Sequence, residues 1–373
     1  MVSEEVDAWS ATENDIRESL RGLGTAATVA TVAAVDGSAY RRPGAKMLVT
    51  ADGVATGAVT AGCLEPSVVE TCDSVRRSGQ PRTERFDLTD GGETWGLGLG
   101  CNGVIDVLVE PRDRSWDAVL DVVDDEEAIA VVTVVASDRD TAVGERVVVG
   151  ESGVRAVPDR DPVPLPHLSR VRDTIARVVG TDQTRTVSVG DATLLVDGLA
   201  PIPELLLFGS QNDLGPVVRL GTRAGFRVSV HSPRGGVDAS AFPEADAVYT
   251  GHPSTVTESV GGHTYAVVMS HNLLDDRIAV ETLLRETAVP YVGVMGPRER
   301  FDRLRDELAS DGRALTADEL DRLAAPVGLD LGGGTPVDIA LSIVSEVVAV
   351  RNGRDGGRLR DRSGPIHALE NGR

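Results

Sequence analysis

Two cysteines sit in turns dense with glycine, Gly62-Cys63-Leu64-Glu65 and Gly98-Leu99-Gly100-Cys101-Asn102-Gly103. As thiolates they are nucleophiles and soft metal ligands, and flanking glycines let backbone approach whatever the sulfur touches. The apolar spacing predicts a helix from Cys63 to Arg77, so Cys63 falls at an N-terminus whose dipole favours thiolate over thiol. A soft metal contact or a carried persulfide asks for these properties. Glu65 caps that helix or orients a ligand, and capping is the simpler reading. Asn102 shares the turn of Cys101. Cys72, mid-helix and without glycine neighbours, reads as a small buried hydrophobe. Three cysteines with no CxxC pair speak against a disulfide framework and a structural zinc site.

Anion chemistry is the second theme. Arg41-Arg42-Pro43-Gly44-Ala45-Lys46 packs three cations into six positions, either a cradle or an exposed charged turn. Gly332-Gly333-Gly334-Thr335-Pro336-Val337-Asp338 precedes a helix, with Thr335 as N-cap, Pro336 in the first turn and Asp338 closing a capping box. Free amides there, around Gly334 and Thr335, suit a phosphate, although the cap alone explains Thr335 and Asp338. Gly209-Ser210-Gln211-Asn212-Asp213-Leu214 stands where a dinucleotide fingerprint would stand, yet only Gly209 of its three glycines is present; Gln211 and Leu214 take the other places. The next strand ends His231-Ser232-Pro233-Arg234, with no carboxylate for a ribose. Arg234 is left for a 2′-phosphate, another anion or a surface pair, and NAD(P) is not favoured as the ligand. His271, Asn272 and Arg298 follow two further strands, where open α/β sheets collect ligands; Asn272 and Arg298 read equally well as helix caps.

The elements that position these residues fall into two kinds. Before about residue 200, a helix (Glu13–Leu23), strands Ala27–Val35 and Lys46–Thr50, a hairpin turn at Asp52-Gly53, the Cys63 helix and strand Val104–Val109 predict an α+β domain. It continues through helix Trp116–Asp124, strand Ala128–Ala136 with partner Val147–Val149, a proline-rich loop (Pro158–Pro166), helix Ser169–Val179 and a last hairpin around Gly190-Asp191. No repeat is visible. From Pro201 strands and helices alternate through Pro336–Val350, the signature of a mostly parallel, Rossmann-like sheet covered by helices. The fold class is therefore α/β, with domains 1–200 and 201–350 and a charged tail, 351–373, expected to be mobile.

Bulk composition narrows the class further. A 41% apolar content supports packed domains, and 373 residues suffice for two. Net charge is −21, and Lys46 is the single lysine. Such a field repels nucleic acid and anionic lipid, and its acidic, lysine-poor character suggests a halophilic cytosol more than arginine-biased codons. No apolar run approaches the roughly 20 residues of a membrane span, and the acidic N-terminus lacks a signal peptide's order. A cytoplasmic protein is expected, without membrane or nucleic-acid partners.

Taken together the motifs resemble the XdhC/CoxI family of molybdenum-hydroxylase accessory proteins. The N-terminal resemblance runs through Val35-Asp36-Gly37-Ser38, Gly44-Ala45-Lys46-Met47 and the two cysteine turns. The C-terminal one runs through Leu207-Phe208-Gly209, Ala266–His271, Gly293–Gly296 and Gly334–Ile343, and Gly364-Pro365-Ile366-His367 resembles the family's closing motif. The resemblance implies a chaperone that transiently binds molybdenum cofactor (molybdopterin), supports its sulfuration by a cysteine desulfurase and inserts it into the large subunit of a xanthine, aldehyde or CO dehydrogenase. It makes Cys101 and Cys63 the molybdenum or sulfur contacts. The wider cofactor-binding set is Cys63, Glu65, Cys101, Asn102, Lys46, Gly209, Gln211, Arg234, His271, Arg298, Gly334 and Thr335. The family usually has glycine at Gln211 and aspartate at Ser232, departures that weaken nucleotide binding. No GxSxG or HExxH set gives the chain a chemistry of its own. The competing readings are an NAD(P)-dependent oxidoreductase using the C-terminal domain and a non-catalytic scaffold, and a homodimer is the expected state.

Overall fold

Runs of valine, threonine and alanine between glycine turns give the first 201 residues their strands. The computed structural model describes residues 8–53, 55–88, 103–124, 127–138, 143–156, 165–235, 237 and 239–363, and the chain divides into units Met1–Pro201 and Ile202–Arg373. In the first unit, α1 (Glu13–Gly22), β1 (Thr28–Gly37), β2 (Lys46–Val49), β3 (Ala55–Gly57), α2 (Glu65–Ser78), β4 (Arg82–Asp87) and β5 (Gly103–Pro111) come first. There follow α3 (Arg114–Asp124), β6 (Ile129–Ser137), β7 (Arg146–Gly150), β8 (Gly153–Ala156), α4 (Leu165–Arg170), α5 (Arg172–Val178), β9 (Thr184–Val189) and β10 (Ala192–Leu199).

These elements form two antiparallel sheets, ordered β3-β2-β1-β5-β4 and β8-β7-β6-β10-β9. Adding five to each strand number turns one order into the other. The match extends to register. A bulge sets Ala33 aside where β1 pairs β5, and another sets Val135 aside where β6 pairs β10. Val32 exchanges backbone bonds with Gly44 and Ala45, as Val134 does with Gly144 and Glu145. On the outer faces Val68, Cys72 and Val75 cover the first sheet, and Val171, Ile175 and Val178 cover the second at the same spacing. The absence of a repeat expected from the sequence is thus corrected: the N-terminal unit is an internal duplication. Identical equivalents such as Val32 and Val134 or Thr83 and Thr186 are scattered among dissimilar residues and loops of different length, so the sequence hides it.

The inner faces of the two sheets meet. Ala33, Leu108, Val135 and Leu195, two equivalent pairs, form one buried cluster between them. Ile16 and Leu20 of α1 and Trp116, Val119 and Leu120 of α3 pack with residues of both sheets in another. Thr83 Oγ1 of the first sheet donates to the bulged Val135 carbonyl at 2.5 Å, and its counterpart Thr186 donates to the bulged Ala33 carbonyl. The halves therefore grip each other reciprocally.

The second unit comprises β11 (Glu204–Phe208), α6 (Leu214–Arg223), β12 (Arg227–Ser232), β13 (Ala247–Thr250), β14 (Thr264–Val268), α7 (Leu273–Glu286) and β15 (Val292–Val294), then α8 (Arg298–Ser310), α9 (Ala317–Asp321), β16 (Leu323–Ala324) and α10 (Pro336–Arg351). Its six strands are parallel, in the order β13-β12-β11-β14-β15-β16. Leu205 and Leu207 point to one core with α6 and α10, while Leu206 and Phe208 point to another with α7 and α8, as a strand covered on both faces requires. This is the α/β architecture the sequence predicts. Strands β4, β8 and β16 and helix α9 were not anticipated; β4 alternates charges (Arg82, Glu84, Arg85) on a half-exposed edge and carries no strand-like apolar face. The expected helix 169–179 is interrupted at Val171. Among the described residues no helix is long and apolar enough to cross a membrane.

Candidate functional site

Cys63 lies before α2 rather than inside it. Thr60 Oγ1 donates to Glu65 Oε2 at 2.5 Å, Thr60 N donates to Glu65 Oε1 at 2.9 Å, and Leu64 N reaches Glu65 Oε2 at 3.2 Å. These bonds hold 60–65 as a closed turn, with Gly62 at φ +105°, and a helix starting at Cys63 is excluded by that geometry. Glu65 is spent on its own turn. Cys63 is half-buried and, like Val35, Ala39 and Leu88, packs against the cluster that contains Val59, Leu64 and Val68. Cys101 and Asn102 lie outside the described residues, so the sulfur pair rests here on Cys63 alone. Cys72 is fully buried, and burial pushes its thiol up to about 11, as an inert core residue requires.

Lys46 behaves differently from an open cradle. Its ammonium is buried, donating to Asp197 Oδ2 at 2.7 Å and to the Gly44 carbonyl at 3.0 Å, while Thr184 Oγ1 donates to Asp197 Oδ1 at 2.6 Å. Burial pulls the Lys46 pKa down, but the charge and hydrogen bond of Asp197, with the charge of Glu13, more than offset it and leave the value raised. The charge of Lys46 is committed to Asp197. The duplication repeats this pair in the opposite sense. Register equates Lys46 with Arg146 and Asp197 with Glu110, and Arg146 donates to Glu110 with both side chains buried. Each sheet thus gives a cation to the other and receives one. Sequence reading missed Asp197, Thr184, Glu110 and Arg146; the available signal was an acidic residue directly after a run of apolar ones, Leu194-Leu195-Val196 before Asp197 and Val107-Leu108-Val109 before Glu110.

The two copies then diverge. Arg146 stacks under Trp116, its guanidinium carbon 4.5 Å from the ring centroid. Lys46 and Asp197 instead line a cavity of about 340 Å³, with Arg41, Arg42, Tyr40 and Asp182 among the other walls. Arg41 Nε is buried there without a hydrogen-bond partner. Gly44, at φ +93°, cannot be replaced cheaply, because a Cβ would stand 2.2 Å from Thr184 Oγ1.

In the second unit the predicted residues follow the carboxyl ends of four strands: Gly209 and Gln211 after β11, Arg234 after β12, His271 after β14 and Arg298 at the start of α8, beyond β15. One contact joins the two strands at which the sheet order reverses: His271 Nε2 lies 2.7 Å from Asp213 Oδ2. His271 has φ +59° and is the one non-glycine residue with positive φ among the described residues. Asp213 precedes α6 without capping it, so a carboxylate stands beside the amides that would meet a pyrophosphate. Gly209 serves packing, since a Cβ would lie 2.8 Å from the Met269 carbonyl. Gln211, Arg234 and Arg298 are exposed, and Asn272 caps α7. Around Gly334 and Thr335 the anion is the chain's own: Asp338 Oδ2 accepts from Thr335 N at 3.1 Å and from Thr335 Oγ1 at 2.8 Å. Those bonds, with the amide of Gly334, hold the Asp338 carboxyl below its ordinary value. Buried Asp276, also unforeseen, anchors the loop after β14 by accepting from Ser270 Oγ and Arg300 at 2.5 Å each.

Comparison with known proteins decides the family. Residues 205–347 match the XdhC Rossmann domain and residues 20–87 match the XdhC and CoxI family, together more than half of the chain. The chain belongs to the XdhC and CoxI family. A probable xanthine dehydrogenase subunit from Bacillus subtilis is 28% identical over 333 residues, 87% of this chain and 93% of the relative. The uncharacterized protein YqeB of Escherichia coli is 27% identical over 227 residues, 59% of this chain and 39% of its own length. A crystal structure described as a xanthine dehydrogenase from Bacillus halodurans superposes with a TM-score of 0.76 at 26% identity, covering 92% of this chain and 97% of that one. The family's two segments coincide with the Cys63 turn and Lys46 in one unit and with the parallel sheet in the other.

Proposed function

We propose that this protein is an accessory factor of a xanthine dehydrogenase-type molybdoenzyme, binding the molybdenum cofactor in its N-terminal unit during sulfuration and delivering it to the enzyme's large subunit. The reading is supported by the family and by two relatives described as xanthine dehydrogenase proteins. The observation that carries it within the chain is the Cys63 turn: a half-buried thiol in a loop locked by Thr60 and Glu65. When bound, the cofactor supplies a metal centre that soft sulfur donors recognise. Cys63 is the group placed to contact that metal or to carry the sulfur that a cysteine desulfurase provides, and the stapled turn fixes where the thiol points. The carboxylate beside α6 in the second unit gives no support to a nicotinamide oxidoreductase.

The test is to express the chain in cells that make the cofactor, purify it without oxygen, and measure molybdenum by metal analysis and pterin by fluorescence. Wild-type protein should carry both, and Cys63→Ser should carry less. Wild-type protein free of both molybdenum and pterin refutes the proposal.

A further inference from the structure

The cavity beside Lys46 has a charge balance that its wall composition conceals. Three cations and three carboxylates line it, but two of the carboxylates are already matched by a cation. Asp197 receives Lys46 and Thr184, and Glu13 receives Arg17 Nε at 3.2 Å; among the described residues Asp182 accepts only from the Ala200 amide at 3.4 Å and keeps its charge, so Arg41 and Arg42 leave the wall one positive charge in excess. Arg41 and Arg42 have no ion-pair partner among the described residues, and Arg41 buries a donor nitrogen that nothing satisfies. In a chain of net charge −21, two guanidiniums without an ion-pair partner line one hollow; Arg42 is exposed and keeps its hydration, whereas the buried Arg41 Nε is costly unless a ligand completes it. Lys46 adds to the same floor: an ammonium has three donors, and two are used.

We propose that this cavity is a binding site for a phosphate monoester, with Arg41 and Arg42 as the clamp and the third N–H of Lys46 at its base. Guanidinium forks match phosphate oxygens in geometry and charge. The volume, about 340 Å³, falls at the lower end of small-ligand sites, roughly 300–1,000 Å³. Tyr40, 67% exposed and on the cavity wall, offers an aromatic face to the group that carries the phosphate. The duplicated half shows how such a site is closed: there the equivalent cation lies under Trp116. The clamp rests on the two arginines alone and does not require the molybdenum cofactor.

Titration calorimetry of the full chain with inorganic phosphate, guanosine monophosphate and guanosine separates the phosphate from its carrier. Both phosphate compounds should saturate a single site and guanosine should not. Arg41→Ala and Arg42→Ala should each weaken phosphate binding at least about tenfold, with lysine at either position recovering only part. Unfolding midpoints without ligand should not fall below the wild-type value, since neither guanidinium has a protein partner to lose and Arg41→Ala removes an unsatisfied buried donor. Guanosine binding as tightly as its monophosphate, affinities indifferent to both substitutions, or no saturation by either phosphate compound at millimolar concentration overturns the site. Protein that purifies without molybdenum or pterin yet binds phosphate through these arginines would retain the clamp and lose the cofactor reading. A doubly substituted protein still loaded with cofactor, and with undiminished phosphate binding, would do the reverse.

Discussion

Removing one member of the Lys46–Asp197 pair should unfold the N-terminal unit far more readily than removing both. The side chains are 4% and 9% exposed, with 2.7 Å between Nζ and Oδ2. Lys46→Met leaves the Asp197 carboxylate with the Thr184 hydroxyl but no opposing charge, and an orphaned buried charge of this kind costs about 3–5 kcal/mol. For a unit of this size each kcal/mol is about 2–4 °C in midpoint, so a loss on the order of 6–20 °C is expected. In Lys46→Met with Asp197→Leu, both charges go and an apolar contact replaces them, so most of that loss should return. Urea unfolding of the four proteins of this cycle, followed by the fluorescence of the three tryptophans, all of which belong to the same unit, gives the coupling energy directly. The pH dependence adds an independent check. The folded Lys46 pKa is raised, so the pair's contribution is full below the unfolded lysine value of about 10.4 and fades as pH climbs through the higher folded value. A single substitution costing under about 1 kcal/mol, in the range of exposed pairs, would refute the claim that the pair is desolvated.

Further outcomes follow from other parts of the molecule. Glu110→Gln should behave like the loss of Asp197, because Arg146 is left buried and charged; a cost near that of a surface pair would count against the equivalence of the two halves. Iodoacetamide at mildly alkaline pH should alkylate Cys63 well before Cys72, whose thiol is buried and pushed up to about 11; equal rates by peptide mass spectrometry would contradict the packing of α2. Burial holds the His231 pKa below 6.5, so the C-terminal unit should lose stability as pH falls below about 6.5, and His231→Phe should flatten that slope in denaturant titrations. Thr335→Ala should cost about 1 kcal/mol in the C-terminal unit by opening the cap of α10, and phosphate should not restore it.

How far the sequence could be read depended on whether a feature was local. Cys72 as core, the Thr335 cap and the parallel sheet were legible, because each depends on spacing within one element. Duplication was not. Thr31 and Thr133, or Thr83 and Thr186, are equivalent only through strand register, and the intervening loops differ in length. The partner of Lys46 is illegible for the same reason: its neighbours Arg41 and Arg42 are close in sequence, while Asp197 is 151 positions away. The glycine loop at 332–334 looked like an open anion nest because a sequence cannot show that Asp338, needed for the cap, also fills it.

The duplication also explains why one half can carry a site and the other cannot. Two equivalent sheets that exchange buried ion pairs hold each other in place through both pairs at once, so the charge of each pair is committed and Lys46 has only its third N–H to offer a ligand. The unpaired charge that a ligand needs must therefore be recruited from loops around a pair. In the second copy Trp116 covers the cation and seals the position. In the first, the loop between β1 and β2 brings Arg41 and Arg42 to the wall, and the pair becomes a fixed, neutral floor beneath two unspent charges. A rigid floor with a charged, half-exposed rim is the division of labour expected when scaffold positions are set by stability and loop positions are left to recognition.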